Sequence, residues 1–291
     1  MRILKKSGFV LIALLLMFAL IYLLGPKHPL IPFDALPITT SYHISDLDRL
    51  IENRESQHSI KADNEARIIW HSGVQKTQYG ILYLHGWSAS QGEADPIQRE
   101  LADKYGANLT LARLPGHGLI GEDLLLNTTA EEVVTYSKEI INIAAQTCES
   151  LIVFSCSTGS TLSVYLASGD KRIKAQLMTS PNFGILAPSF DLVSQTMNDD
   201  VFAKITTSVS IGYSNKNQER KDKIIDLSLI QPFVEAIATP REKVTTQAFS
   251  ECKYHLMTTP SYYKDYHLVR QGIEHYMENS LQIKTKTDSQ C

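Results

Sequence analysis

The chain has 291 residues, 43% hydrophobic and 20% charged, enough apolar chain to bury a core and too much for a disordered protein. Its 28 Lys+Arg stand against 31 Asp+Glu, a net charge of −3, which leaves no polyanion-binding footprint and argues against nucleic acid as a partner. Four cysteines in this length do not make a disulfide scaffold, and Cys148, Cys156, Cys252 and Cys291 show no metal-ligand spacing.

The charge is unevenly placed. Residues 7–26 carry none, Phe9 to Leu24 is an unbroken apolar run, and the charges before it are Arg2, Lys5 and Lys6. A helix over this run spans about 30 Å, the thickness of a hydrocarbon core, and its basic end favours the cytoplasmic side. The run ends Ile21-Tyr22-Leu23-Leu24-Gly25-Pro26 without a small-x-small cleavage site. The expectation is therefore an uncleaved N-terminal transmembrane helix over residues 1–26, with the remainder, at −6, on the extracytoplasmic (periplasmic) side. Pro26, Pro29, Pro32 and Pro37 make residues 27–60 a proline-rich tether. A short helix closes it at Asp46–Glu55, with Leu47, Leu50 and Ile51 on one face and Ser45 as its cap.

Residues 61–291 read as one domain in which short apolar runs alternate with amphipathic stretches. Strands are expected at Ala66–His71, Gly80–Leu84, Ala107–Ala112, Leu151–Phe154, Ala175–Thr179, Ser208–Tyr213 and Val244–Phe249. Helices are expected at Ala94–Tyr105, Ala130–Thr147, Thr158–Ser168, Leu227–Ile237 and Tyr262–Ser280, with Thr129 and Glu132 forming a capping box before the second. This alternation implies an α/β domain with a mostly parallel sheet and helices on both faces. Sheets of that kind place their sites at the carboxyl ends of the strands.

The strand Leu151–Phe154 runs straight into Ser155-Cys156-Ser157-Thr158-Gly159 and then a helix. A sharp turn there holds Ser157 clear of the sheet at a helix N-terminus, and Ser155 and Gly159 are the small neighbours that such a close approach needs. Upstream, one strand ends in His85-Gly86-Trp87-Ser88 and the next in Leu114-Pro115-Gly116-His117-Gly118. Over roughly residues 66–280 these turns, in this order, resemble the α/β-hydrolase superfamily, in particular its carboxylesterase and monoacylglycerol-lipase-like branch, which also contains serine peptidases. Ser155 stands where the family's elbow usually has its first glycine.

The resemblance implies Ser157 as nucleophile and an oxyanion hole formed by the backbone amides of Trp87 and Thr158. His85 and His117 read as braces of their turns. Of the nine histidines only His255, His267 and His275 follow the elbow. The last two fall in the expected final helix, whereas His255 lies just after the strand Val244–Phe249, where the family carries its base. The acid is expected in the loop after Ser208–Tyr213, where Asp222-Lys-Ile-Ile fits the family pattern. Glu219 and Asp226 are rivals, and Asp226 also stands where it would cap the helix beginning near Leu227. Between Ser180 and Thr207 there is room for a small cap only, whose Phe183, Ile185, Leu186, Phe190, Leu192 and Met197 are available for an acyl pocket or for ordinary packing.

The expected activity is hydrolysis of a small carboxylic ester, lipid-derived if the membrane helix holds, through Ser157, His255 and Asp222 and an acyl-enzyme, with no cofactor or metal implied. A peptidase or acyltransferase with the same triad, and a catalytically silent binding module, remain as alternatives.

Overall fold

The computed structural model describes residues 12–21, 24, 34–121, 124–183, 199–214, 226–249 and 266–285. The chain divides into two units, Met1–Pro32 and Phe33–Cys291. In the first, residues 12–21 are helical and expose Ile12, Leu15, Phe18 and Ile21. Among the described residues no helix is long and apolar enough to cross a membrane. This overturns the expected transmembrane helix, and with it the membrane as a partner and the extracytoplasmic placement of the domain.

In the second unit the strands are β1 (Arg67–Ile69), β2 (Thr77–Leu84), β3 (Asn108–Leu111), β4 (Cys148–Cys156), β5 (Ile173–Thr179), β6 (Ser208–Ser214) and β7 (Val244–Phe249). They form one sheet in the order β1-β3-β2-β4-β5-β6-β7. Only β1 runs antiparallel, pairing Arg67 with Leu111 and Ile69 with Leu109 on β3; the other pairs are parallel. The helices are α1 (Leu47–Glu55), α2 (Ile97–Lys104), α3 (Ala130–Gln146), α4 (Thr158–Ala167), α5 (Asp199–Phe202), α6 (Ile230–Ala236) and α7 (Tyr266–His275).

Successive residues of a strand face opposite sides of the sheet, and the two resulting cores follow that alternation. Leu82, Leu84, Leu151 and Val153 pack against Leu47 and Ile51 of α1, Ile140 and Ala144 of α3, Leu162 and Leu166 of α4, and Phe233 of α6. Ile81, Tyr83, Ile152 and Phe154 pack on the other face against Ile97 and Leu101 of α2 and Val269 and Ile273 of α7. Both faces of the sheet are therefore covered, which is why its strands are apolar on both sides.

Local signals set the ends of several elements. The Thr129 amide donates to Glu132 Oε2 at 2.8 Å, and the Glu132 amide donates to Thr129 Oγ1 at 3.2 Å, so the capping box ahead of α3 is formed. Ser45 does not cap α1: it lies inside a 3-10 turn, Ile44–Asp46, with its hydroxyl 2.7 Å from His43 Nδ1. The single helix expected over Ala94–Tyr105 is a 3-10 turn, Gln91–Ala94, followed by α2, and Asp95-Pro96 separates them. Proline disfavours helical geometry in the residue before it and opens a helix readily.

Residues 34–42 run along the far ends of α3 and α4. Asn142 and Gln146 donate to the Thr40 carbonyl at 2.8 and 3.1 Å, and Arg172 donates to the Ile38 carbonyl at 2.8 Å. The Tyr42 amide returns a hydrogen bond to Gln146 Oε1 at 2.7 Å. This segment is fastened at the amino ends of the strands, since α3 ends there before leading into β4.

Candidate active site

After β2 the chain crosses outward to β3 through α2. It then returns through α3, past β2, to β4, so β2 and β4 are neighbours from which the connections leave in opposite directions. Such a reversal opens a crevice at the carboxyl ends of the two strands. Leu84 pairs with Ser155 at that end, so the turns His85–Ser88 and Cys156–Thr158 emerge side by side.

Ser157 occupies the turn between β4 and α4 with φ +50° and ψ −118°, a conformation a non-glycine residue rarely adopts. It is held there from three sides. Its amide donates to the Thr179 carbonyl of β5 at 3.1 Å, and its carbonyl accepts from Ser160 at 2.9 Å, Thr161 at 3.3 Å and Asn182 at 3.3 Å. The helix is pressed against the end of β2, because a Cβ on Gly159 would lie 2.7 Å from the Leu84 carbonyl carbon and 2.8 Å from the His85 oxygen. Ser155, fully buried, donates to Ser160 Oγ at 3.1 Å. Thr158 is the first residue of α4, where amides have no partner within the helix and the dipole favours negative charge.

The turn after β2 lies against this elbow. A Cβ on Gly86 would stand 3.1 Å from Ser157 Cβ and 3.0 Å from Glu93 Oε1, so the serine and a carboxyl group both close on the same side of the Gly86 Cα. Glu93 Oε2 accepts from the Gly86 amide at 2.8 Å and from the Tyr83 hydroxyl at 2.9 Å. Burial, reinforced by Glu93, raises the Tyr83 pKa and keeps this hydroxyl a donor. His85 is fully buried; its Nε2 accepts from the Leu114 amide at 3.0 Å, which puts the proton on Nδ1, 2.8 Å from the Gly86 carbonyl it donates to. Burial and the neighbouring His117 hold His85 down to about 3, so it is neutral in the ordinary pH range. His117 Nδ1 lies 2.8 Å from the Pro115 carbonyl, burial lowers its pKa, and the edge of its ring system meets Trp87 at 4.9 Å. Both histidines brace their turns through hydrogen bonds, in keeping with the sequence expectation. Trp87 is 46% exposed.

Ser157, Trp87 and Thr158 thus stand at one end of the sheet, on the two turns that flank the crevice. Asp222, Glu219 and His255 lie outside the described residues. Asp226 caps the turn Leu227–Leu229, accepting from the Ser228 amide at 3.0 Å and the Ser228 hydroxyl at 2.6 Å. His267 and His275 are exposed on α7, and His275 Nδ1 lies 3.0 Å from Asn279 Nδ2. Phe183 is buried in the core, stacked on Phe233 at 4.2 Å between centroids. Ile185, Leu186, Phe190, Leu192 and Met197 are outside the described residues. Cys148 and Cys156 are buried, burial pushing the Cys148 thiol up to about 12. Among the described residues no group of His, Cys, Asp or Glu could hold a metal ion.

One site residue escaped the sequence expectation. Glu93 lies in Gln91-Gly92-Glu93-Ala94, a polar stretch that reads as solvated loop, and only its position seven residues after Gly86 in a tight turn hints at a return contact.

No family model matches the chain. A thermostable monoacylglycerol lipase of Bacillus sp. (strain H-257) is 34% identical over 88 residues, which are 30% of this chain and 34% of that protein. The chain therefore matches about a third of the length of this curated relative. Among solved structures, one of the metagenome-derived lipolytic enzymes LipS and LipT superposes with a TM-score of 0.63 at 13% identity, over 76% of this chain and 100% of the other. Est1E from Butyrivibrio proteoclasticus, determined with ferulic acid bound, gives 0.57 at 15% identity over 75% and 95% of the two chains. A monoacylglycerol lipase of Paleococcus ferrophilus gives 0.55 at 14% over 73% and 98%. With the parallel sheet, the reversal at β2 and β4 and the strained serine turn, the chain has the α/β-hydrolase fold and is similar to lipases and esterases of that fold.

Proposed function

We propose that the chain is a serine hydrolase that cleaves a small carboxylic ester, with Ser157 as nucleophile, His255 as general base and Asp222 as the orienting acid. The observation that carries this reading is the strained backbone of Ser157 at the head of α4, with the Gly86 turn packed against it. A side chain held at positive φ between a strand and a helix projects into the crevice, where first-turn amides favour a developing negative charge. The similarity to lipases and esterases supports an ester as substrate, and the monoacylglycerol lipase relative supports a fatty acyl ester in particular.

In this reaction His255 takes the hydroxyl proton as Ser157 Oγ bonds to the ester carbonyl carbon. The carbonyl oxygen becomes an oxyanion that accepts from the Trp87 and Thr158 amides. Collapse of the tetrahedral adduct breaks the bond to the alkoxy oxygen, which leaves as an alcohol with the proton from His255. Water, deprotonated by His255, then releases the carboxylic acid and restores Ser157. Asp222 holds the imidazole in the reactive tautomer and stabilises its charged form.

Incubation with a fluorophosphonate probe and mapping of the adduct test the reading. Wild type labels at Ser157, and Ser157→Ala does not. No labelling of wild type refutes the hydrolase, and labelling that survives Ser157→Ala refutes the site. On p-nitrophenyl acetate His255→Ala loses activity where His267→Ala keeps it, and Asp222→Asn loses more than Glu219→Gln. The opposite order would reassign the base or the acid.

A further inference from the structure

Gly86 carries two peptide groups, and a separate side chain holds each of them. The amide on its amino side donates to Glu93 Oε2 at 2.8 Å, and its carbonyl accepts from His85 Nδ1 at 2.8 Å and from the Ala89 amide at 3.3 Å. The Gly86–Trp87 peptide is planar and trans, so its carbonyl and the Trp87 N–H point in opposite directions. Pinning both planes that meet at the Gly86 Cα removes the freedom of φ and ψ that glycine otherwise has. The direction of the Trp87 N–H is then settled by the groups that hold the two Gly86 peptides, Glu93 on one and His85 with Ala89 on the other.

We propose that Glu93 is a positioning residue for hydrolysis at Ser157: by holding the Gly86 amide it aims the Trp87 N–H at the oxyanion. This inference rests on the serine-hydrolase reading above. Glu93 is 9% exposed and sits on the 3-10 turn Gln91–Ala94, with its other oxygen against the Gly86 Cα on the side facing Ser157. The Tyr83 hydroxyl, 2.9 Å away and kept protonated by burial, gives the same oxygen a second donor and fixes the rotamer. A carboxyl group this near the nucleophile also repels the negative charge that develops in the transition state. The Gly86 amide and the Tyr83 hydroxyl, both directed at Oε2, offset part of that charge. A misdirected oxyanion donor costs on the order of 100-fold in rate.

The test compares full-length wild type with Glu93→Leu and Glu93→Gln, measuring turnover of p-nitrophenyl acetate per active site counted by fluorophosphonate titration. Phenylboronic acid, which forms a tetrahedral adduct with a serine, reports oxyanion binding in parallel. Glu93→Leu is expected to lose roughly 100-fold in kcat per titrated site with KM within about threefold, and to weaken the boronate by a similar factor. Glu93→Gln keeps an acceptor for Gly86 but not its charge, and a charge-assisted bond is about twice as strong as a neutral one, so it is expected to retain about a tenth of the turnover. A purely structural role predicts something else: fewer titratable sites, each turning over at the wild-type rate. That result overturns the proposal, as does Glu93→Gln at or above wild-type turnover per site. If Glu93→Leu does not fold, the Glu93→Gln comparison decides alone. Wild type that fails to label overturns this inference together with the hydrolase reading, whereas labelled wild type with unaltered Glu93 variants overturns only this one.

Discussion

Glu55 and Arg113 join α1 to the turn after β3 by a buried pair that invites a direct measurement. Arg113 Nε and Nη2 donate to the two Glu55 oxygens at 2.7 and 2.8 Å, and the side chains are 3% and 7% exposed for Arg113 and Glu55. Glu55 Oε2 also accepts from the Ala66 amide at 2.8 Å, and Arg113 Nη1 donates to the His117 carbonyl at 3.2 Å. Glu55→Ala leaves the guanidinium buried with only the His117 carbonyl, and strands the Ala66 N–H. Breaking one partner of such a pair costs about 3–5 kcal/mol. For a domain of this size that is a fall in Tm of roughly 6–20 °C, at about 2–4 °C per kcal/mol. Urea unfolding followed by far-UV circular dichroism measures it, with the slope m unchanged. The double variant Glu55→Leu/Arg113→Met removes both charges and is expected to recover most of the loss, since apolar replacement of a buried pair is often neutral. A single-variant cost below about 1 kcal/mol, or a double variant as costly as the two singles added, refutes the reasoning.

Two further perturbations probe the site's scaffold. Gly159→Ala drives a methyl group into the Leu84 and His85 backbone, which cannot rotate away as a side chain would, so both stability and fluorophosphonate labelling at Ser157 should fall. Normal labelling in this variant would mean that α4 can retreat from β2. The second perturbation is acid. Burial depresses His85 to about 3 from an ordinary 6.5, so between these values the unfolded chain binds a proton that the folded chain refuses. Stability therefore falls as pH drops below about 6.5, by up to about 1.4 kcal/mol per unit and roughly 2 kcal/mol between pH 8 and pH 5. His85→Gln should flatten that limb of the urea-derived stability profile, and an unchanged slope would assign the effect elsewhere.

Elements whose pattern is local were legible in the chain. All seven strands were anticipated, because apolar runs between polar helical stretches leave a periodicity that no neighbour needs to explain, and the Thr129–Glu132 box gave the start of α3 to the residue. Ser157, Trp87 and Thr158 could be placed at one end of the sheet because the turns that hold them directly follow strands. The misses have local or long-range causes. A 3-10 turn displaced Ser45 from the cap of α1, and Pro96 divided the expected second helix. The apolar run at the amino end met every compositional condition for a membrane span, yet among the described residues no helix is long and apolar enough to cross a membrane. Arg113 and Glu55 are 58 positions apart and Glu93 turns back on Gly86 through a loop. Pairings of that kind exist only once the sheet has brought their elements together, so no window of sequence displays them.

Residues 34–42 have a consequence for how the domain tolerates change. They grip the far ends of α3 and α4, and apart from an ion pair between Lys138 and Asp34 the grip consists of hydrogen bonds from Asn142, Gln146 and Arg172 to main-chain carbonyls. A carbonyl is presented by any residue. The identities at positions 38 and 40 can therefore drift while the clasp persists, and the drift is felt at the pole of the sheet remote from Ser157. Sequence variation is absorbed at one end of the molecule, leaving the geometry of the crevice at the other end to be set by β2, β4 and their turns.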